Sequence, residues 1–270
     1  MSLPEITSTT NPRVKRLVRL RSRRHREAEG VFLIEGFREL ARAVFAGVRL
    51  AEVYVCEQMF IGENEPDLIQ QLEESGARIY RLSVDPFRKV AYRDRPEGLL
   101  GVAPQFDTGL ASISPSSDSL LLVVEGIEKP GNLGTILRTA DAAGVEAVVV
   151  ADPTTDPFNP NVVRASLGCL FTVPLAVSTS PKVVRWLEEH QVRVIATSPS
   201  APDSYWEADY SGSVAIVVGS EQYGLGEIWL NSSFPTVSIP MKGSADSLNA
   251  AISSSLVLFE ALRQRARTMD

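Results

Sequence analysis

The chain has 270 residues, 44% of them hydrophobic and 22% charged, with a formal net charge of −6. That composition excludes a disordered chain. No apolar run approaches the roughly 20 residues a membrane helix needs, and the opening MSLPEITSTTNPRVKR lacks the apolar core of a secretory signal. Two distant cysteines, Cys56 and Cys169, give neither a disulfide framework nor metal-ligand spacing. Only His25 and His190 are available for histidine-based catalysis or zinc binding. The expectation is a cytoplasmic protein in a reducing compartment, without a metal.

The elements alternate from the start. A helix is expected to open at Asn11–Pro12, since asparagine caps well and proline at the first helical position loses no hydrogen bond. Val14, Leu17 and Val18 form its apolar seam, and Gly30 ends it. Strand VFLIEG, helix FRELARAVFAG and strand LAEVYVC follow. Next come helix DLIQQLEESG, strand ARIYRL, a short helix near DPFRKVAY and strand GLLGVA. Residues 1–106 thus read as a small α/β domain. The serine-rich stretch at 107–119 reads as a linker.

Residues 120–270 read as a second α/β domain built on a parallel sheet. LLLVVEGI is a near-continuous apolar strand of the kind buried on both faces. Helix NLGTILRTADAAG, strand EAVVVAD, helix NPNVVRASLG, strand TVPLAV, helix PKVVRWLEEH and strands VRVIATS, VAIVVGS and TVSIP follow. A final helix is expected from about Ser247 to Arg267.

The charge is unevenly placed. Between Ile6 and Arg26 there is no acidic residue, and Arg13, Lys15, Arg16, Arg19, Arg21, Arg23, Arg24 and Arg26 leave the rest of the chain at −14. A basic block on an acidic protein is the footprint of a phosphate-backbone binder. Arginine predominates, and its planar fork suits bidentate phosphate contact. Arg78, Arg81, Arg88, Lys89, Arg93 and Arg95 add a second cluster. A solvated helix face with no partner is the plainer alternative.

Three loops at strand ends carry the candidate chemistry: EKPGNLG (128–134), GSEQYGLG (219–226) and IPMKGSADSLN (239–249). In open α/β sheets ligands bind at the carboxyl ends of strands. The first loop has Asp152 about 20 residues on, as a dinucleotide site would, but Gly131 and Gly134 are spaced GxxG and the third glycine of that fingerprint is missing. Singly, the polar residues have ordinary readings. Arg138 suits a surface ion pair, Glu221 the N-terminus of a short helix, and Ser247 to Asn249 a helix cap.

Taken together, the strings NLGTILRTADAAG, VVGSEQYGLG and IPMKGSADSLNAAISSSLVLFEAL closely resemble the three motifs of the SpoU class of RNA 2′-O-ribose methyltransferases, within the SPOUT superfamily of knotted enzymes. ITSTTNPRVKRLVRLRSRRHREAEGVFLIEGFREL and RPEGLLGVA resemble the substrate-binding domain that precedes the catalytic domain in many members and is similar in fold to a small RNA-binding ribosomal protein. The resemblance implies a C-terminal parallel-sheet α/β domain with a trefoil knot, acting as a homodimer with its site near the subunit interface. It implies S-adenosyl-L-methionine (SAM) held by loops at Thr197, Ser198, Gly219, Ile239, Met241 and Leu248. It places Asn132, Arg138, Glu221, Ser247 and Asn249 at the functional positions, and RNA, ribosomal before transfer, on Arg13, Lys15, Arg16, Arg19, Arg23 and Arg24. Gln222 stands where the family commonly has glycine, and Ser253 to Ser255 replace a more alanine-like stretch.

Methyl transfer to a ribose 2′-hydroxyl is an in-line displacement that needs alignment and a more nucleophilic oxygen. A guanidinium stays protonated, so Arg138 is expected to polarise the 2′-oxygen and stabilise developing negative charge. Glu221 or a phosphate oxygen would take the proton. Three other readings fit the sequence: a non-catalytic RNA-binding or ribosome-assembly factor on the same fold, a nicotinamide dehydrogenase, and, within the methyltransferases, self-protection against a ribosome-directed antibiotic.

Overall fold

In the computed structural model, which describes residues 5–231 and 233–267, the basic N-terminal segment is two helices and not one. α1 (Pro12–Arg19) is capped by Asn11, whose side chain accepts from the Arg13 N–H at 2.9 Å. Its seam of Val14 and Leu17 is buried. The backbone leaves helical geometry at Ser22 before α2 (Arg23–Glu29), which ends at Gly30 in the left-handed conformation. The uninterrupted helix expected from Asn11 to Gly30 is therefore corrected, and Arg26 supplies the reason. Its buried guanidinium donates to the carbonyls of Leu20 at 3.0 Å and Arg21 at 2.6 Å, satisfying acceptors stranded by the break. The same group meets Asp156 at 2.5 Å. Arg26 is a structural charge.

The expected alternation follows as β1 (Val31–Glu35), α3 (Phe37–Phe45), β2 (Glu52–Val55), α4 (Glu65–Glu74), β3 (Arg78–Arg81), α5 (Val84–Val90) and β4 (Leu99–Pro104). The sheet order is β1-β4-β2-β3, with β4 antiparallel to both neighbours and β2 parallel to β3. Leu17, Leu33, Tyr54, Phe87 and Leu100 form the core between this sheet and the helices α1 and α5.

The rest of the chain forms a parallel sheet. β5 (Leu120–Glu125), α6 (Pro130–Ala142) and β6 (Ala147–Ala151) come first, then α7 (Pro160–Ala165), β7 (Leu175–Ser178), α8 (Ser180–Glu189), β8 (Arg193–Thr197) and the two-residue β9 (Asp203–Ser204). β10 (Val214–Val218), α9 (Glu227–Leu230), β11 (Thr236–Ser238) and α10 (Ala250–Arg267) complete it. Seven strands run parallel in the order β7-β6-β5-β10-β8-β11-β9. Every residue of β5, β6 and β10 is buried, which is why they read as unbroken apolar runs. The final helix begins at Ala250, later than the expected Ser247, because Asn249 takes the cap.

Two compact units result: residues up to Phe106 together with Asp156–Thr172, and Asp107–Thr155 together with Val173 onward. Where the sequence suggests one passage between domains at 107–119, the chain makes three. In the returning segment, Phe158 packs 5.0 Å from the Phe32 ring and 4.9 Å from that of Phe106, centroid to centroid. The segment that carries α7 is thus part of the first unit's core. In the second unit β5 and β10 are neighbours, while β6 and β7 lie to one side and β8, β11 and β9 to the other. The loops that follow β5 and β10 therefore meet at the carboxyl edge of the sheet, where strand order reverses.

Candidate active site

The loop after β10 is a tight turn. Ser220 and Gly224 exchange backbone hydrogen bonds of 3.1 Å, and Gly224 sits at φ 67°. A Cβ on Gly219 would fall 2.2 Å from the Gly224 carbonyl carbon, so only glycine fits there. The turn presents Glu221 to the start of α6. Its carboxylate accepts from Asn132 Nδ2 at 2.8 Å, from Lys129 Nζ at 2.5 Å and from Asn249 Nδ2. Asn249 Nδ2 also lies 3.2 Å from Asn132 Oδ1. Its own Oδ1 accepts the Ala251 N–H at 3.0 Å. One asparagine therefore caps α10 and binds the polar cluster at once, so the capping and functional readings of Asn249 do not compete.

The hydrogen bond from Lys129, with that from Asn132, holds the Glu221 carboxyl below the usual carboxylate range, against the opposing effect of burial. Lys129 is pushed up by the same contact. Glu221 is thus an ionised acceptor and a weaker base than an ordinary carboxylate.

Two cavities flank this cluster and share Glu221 and Gln222 in their walls. The larger, about 420 Å³, is lined by all six residues expected to hold the cofactor: Thr197, Ser198, Gly219, Ile239, Met241 and Leu248. Ser247 and Asp246 also line it, and both are exposed at its rim. Its size falls within the usual range of small-molecule clefts. Its chemistry suits SAM: apolar side chains for an adenine, hydroxyls for a ribose, and the Glu221 and Asp246 carboxylates for a sulfonium charge. The smaller cavity, about 320 Å³, is lined by Ile127, Glu128, Lys129, Asn132, Glu221 and Gln222. It is polar and open to a hydroxylated substrate.

Arg138 is not brought to this cluster. It is exposed on α6 and has no hydrogen-bond or ion-pair partner among the described residues. It stands six positions after Asn132, which puts the two side chains about 120° apart round the helix. Lys129 was not singled out from the sequence. Nothing local marks it, because its partner lies 92 positions further on.

The basic segment divides by partner. Arg16 is tied to Glu29 at 2.7 Å and Glu52 at 2.8 Å, and Arg23 to Glu27 at 2.6 Å. Arg21 donates to the Lys89 carbonyl at 2.8 Å. Arg13 is exposed, with its guanidinium 4.1 Å from the Tyr80 ring centroid. Lys15, Arg19 and Arg24 are exposed and without partners among the described residues. In the second cluster Arg93 is held by Glu39 at 2.6 Å, while Arg78, Arg88 and Arg95 are exposed.

Comparison with known proteins agrees with this layout. Residues 119–259 match the SpoU rRNA Methylase family, and residues 11–101 match the MRM3-like substrate binding domain. The chain is 31% identical over 257 residues to the 23S rRNA (guanosine(2553)-2′-O)-methyltransferase RlmP of Bacillus subtilis, covering 95% of this chain and 98% of that one. Among solved structures, an RNA 2′-O ribose methyltransferase shares 42% identity with a TM-score of 0.85, over 97% of this chain and all of that one (100%). An AdoMet-bound rRNA methyltransferase from Sinorhizobium meliloti shares 31% identity with a TM-score of 0.88, over 96% and 97% of the two chains. With the motif loops gathered at one sheet edge and both parts of the chain matched, this protein belongs to the SpoU rRNA methylase family.

Proposed function

We propose that this enzyme transfers a methyl group from SAM to a ribose 2′-hydroxyl of ribosomal RNA in the cytoplasm. The observation that carries the reading is the shared wall of the two cavities. One turn, Gly219–Gly224, borders a cleft suited to SAM and a polar cavity suited to a ribose, with Glu221 between them. Relatives named as 23S rRNA 2′-O-methyltransferases, and an AdoMet-bound neighbour, support the substrate and the cofactor.

In this reading Thr197, Ser198, Gly219, Ile239, Met241, Ser247 and Leu248 hold SAM, which supplies an electrophilic methyl on a sulfonium. Asn132, Asn249 and Glu221 orient the ribose, and Lys129 keeps Glu221 ionised. Arg138 polarises the 2′-oxygen and its neighbouring phosphate, so that negative charge developing on oxygen is stabilised without the guanidinium losing its proton. Glu221 or the phosphate oxygen receives the proton as the oxygen–methyl bond forms and the sulfur–methyl bond breaks. Lys15, Arg19 and Arg24, with Arg13, hold the RNA backbone; Arg16 and Arg23 act chiefly on the protein's own acids.

The enzyme works as a homodimer in this proposal. Ile252, Leu256, Phe259 and Leu262 line one face of α10 and are between about a third and a half exposed, an unusual cost for apolar side chains with no partner. α10 packs beside α6, where Thr139 and Ser255 share a hydroxyl contact of 3.1 Å. A second copy seated on this face would receive Arg138 at its own site. The trefoil knot belongs to the same reading: β11 lies between β8 and β9, so the later chain passes between two strands that precede it.

Calorimetry on the purified protein tests the cofactor assignment. One SAM per chain, with no heat from NAD, is the expected result. Absence of SAM binding by a folded protein would favour the RNA-binding factor, and a signal from NAD alone the dehydrogenase.

A further inference from the structure

Glu125 ends β5 and is not used by the mechanism above, yet it is nine-tenths buried. A buried carboxylate is costly unless its oxygens are satisfied. Its partners come from two separate places in the second unit, the start of α8 and the start of α9. Oε1 accepts from Ser180 Oγ at 2.6 Å and from Trp229 Nε1 at 2.8 Å, and Oε2 accepts the Gly226 N–H at 2.6 Å. Gly226 is the last residue of the turn-bearing loop. The loop leaves β10 just past Val218, which pairs with Val124, the residue before Glu125. A Cβ on Gly226 would come within 3.2 Å of Glu125 Oε1, so glycine permits the close approach. One buried carboxylate thus bonds the last residue of the loop.

We infer that Glu125 is a positioning residue that clasps the Gly219–Gly226 loop and thereby sets the affinity of the larger cleft for SAM. The inference rests on the assignment of that cleft to SAM. The loop held at Gly226 carries Gly219 and Glu221, which wall the cleft, so release of Gly226 loosens the wall while leaving Asn132, Lys129 and Asn249 in place. The effect falls chiefly on cofactor binding, because Gly219, Gly224 and Leu225 of the loop wall the larger cleft, while Glu221 keeps its own bonds to Lys129, Asn132 and Asn249. A glutamine keeps the shape but turns a donor toward at least one of the three donors, leaving a buried N–H without an acceptor.

The test is Glu125→Gln in the full-length protein, measured by SAM calorimetry, by kcat at saturating SAM and by hydrogen exchange. The expected result is a rise of roughly tenfold in the SAM Kd, with kcat within about threefold of wild type. Amide exchange should speed up in 219–226 and stay slow in β5, β6 and β10. An unchanged Kd overturns the inference, as does exchange accelerated equally across the sheet, which would mark a merely structural role. If the glutamine variant does not fold, Trp229→Phe removes one donor while keeping most of the ring's bulk. It should then show the same pattern with a Kd shift of roughly twofold, and no shift in that variant overturns the inference. Wild-type protein run alongside separates the two claims: if it binds no SAM, the cofactor assignment fails, and with it the basis of the clasp.

Discussion

Arg138→Ala is expected to lower the rate of methyl transfer by about 10²- to 10³-fold, the scale seen when one group stabilising developing oxyanion charge is removed. SAM affinity should be unchanged, because Arg138 lines neither cavity. The more telling result is complementation. Arg138→Ala and Asn132→Ala subunits, each nearly inactive alone, are mixed and allowed to exchange. If the arginine of one subunit serves the site of its partner, every mixed dimer contains one intact site, and about a quarter of wild-type activity returns with random pairing. If Arg138 serves its own subunit, no activity returns. The exposure of Arg138, its lack of a partner among the described residues and its position round α6 from Asn132 all favour the first outcome. Phe259→Glu, which puts a charge in the apolar stripe of α10, should yield a monomer by analytical ultracentrifugation and lose activity with it. A fully active monomer would refute the shared site.

The second large effect concerns RNA affinity. Lys15→Gln, Arg19→Gln and Arg24→Gln together are expected to flatten the plot of log K against log salt by about 2 to 3, at roughly 0.7 to 0.9 for each phosphate no longer neutralised. SAM binding should not change. Arg16→Gln and Arg23→Gln serve as controls of similar charge. Their guanidiniums already face Glu29, Glu52 and Glu27, so the slope should move much less. An equal change from both sets would mean that the local ion pairs do not govern which arginines reach RNA. Point variants are preferable to deletion of residues 1–105, because Asp156–Thr172 belongs to the first unit. Deletion would leave Asp156 without Arg26 and Phe158 without the Phe32 ring.

Most of the order of strands and helices was legible in the sequence, because the central strands β5, β6 and β10 are fully buried and read as unbroken apolar runs, whereas the two-residue β9 gave no pattern. What local pattern did not carry were the long-range partners. The break at Ser22 depends on Arg26 reaching back to the Leu20 and Arg21 carbonyls, and in a run of arginines nothing distinguishes the buried one. The return of α7 to the first unit was hidden for a similar reason. Val162 and Val163 mark a buried face but not the core that buries it. At the site, the motifs supplied Asn132, Glu221 and Asn249, which do meet. Lys129 and Glu125 carry no local signal, since the partner of each lies about a hundred positions away. Arg138 appeared in the same motif as Asn132, and helical geometry then places it on another face of α6.

The most direct test of the central claim uses SAM carrying a labelled methyl group, ribosomal RNA and the purified enzyme, followed by complete alkaline hydrolysis. Alkali cleaves RNA through the free 2′-hydroxyl, so a 2′-O-methyl group blocks cleavage at its own nucleotide. The label is expected in an alkali-resistant dinucleotide. Label recovered in mononucleotides would place the methyl on a base, and would contradict ribose 2′-O-methylation.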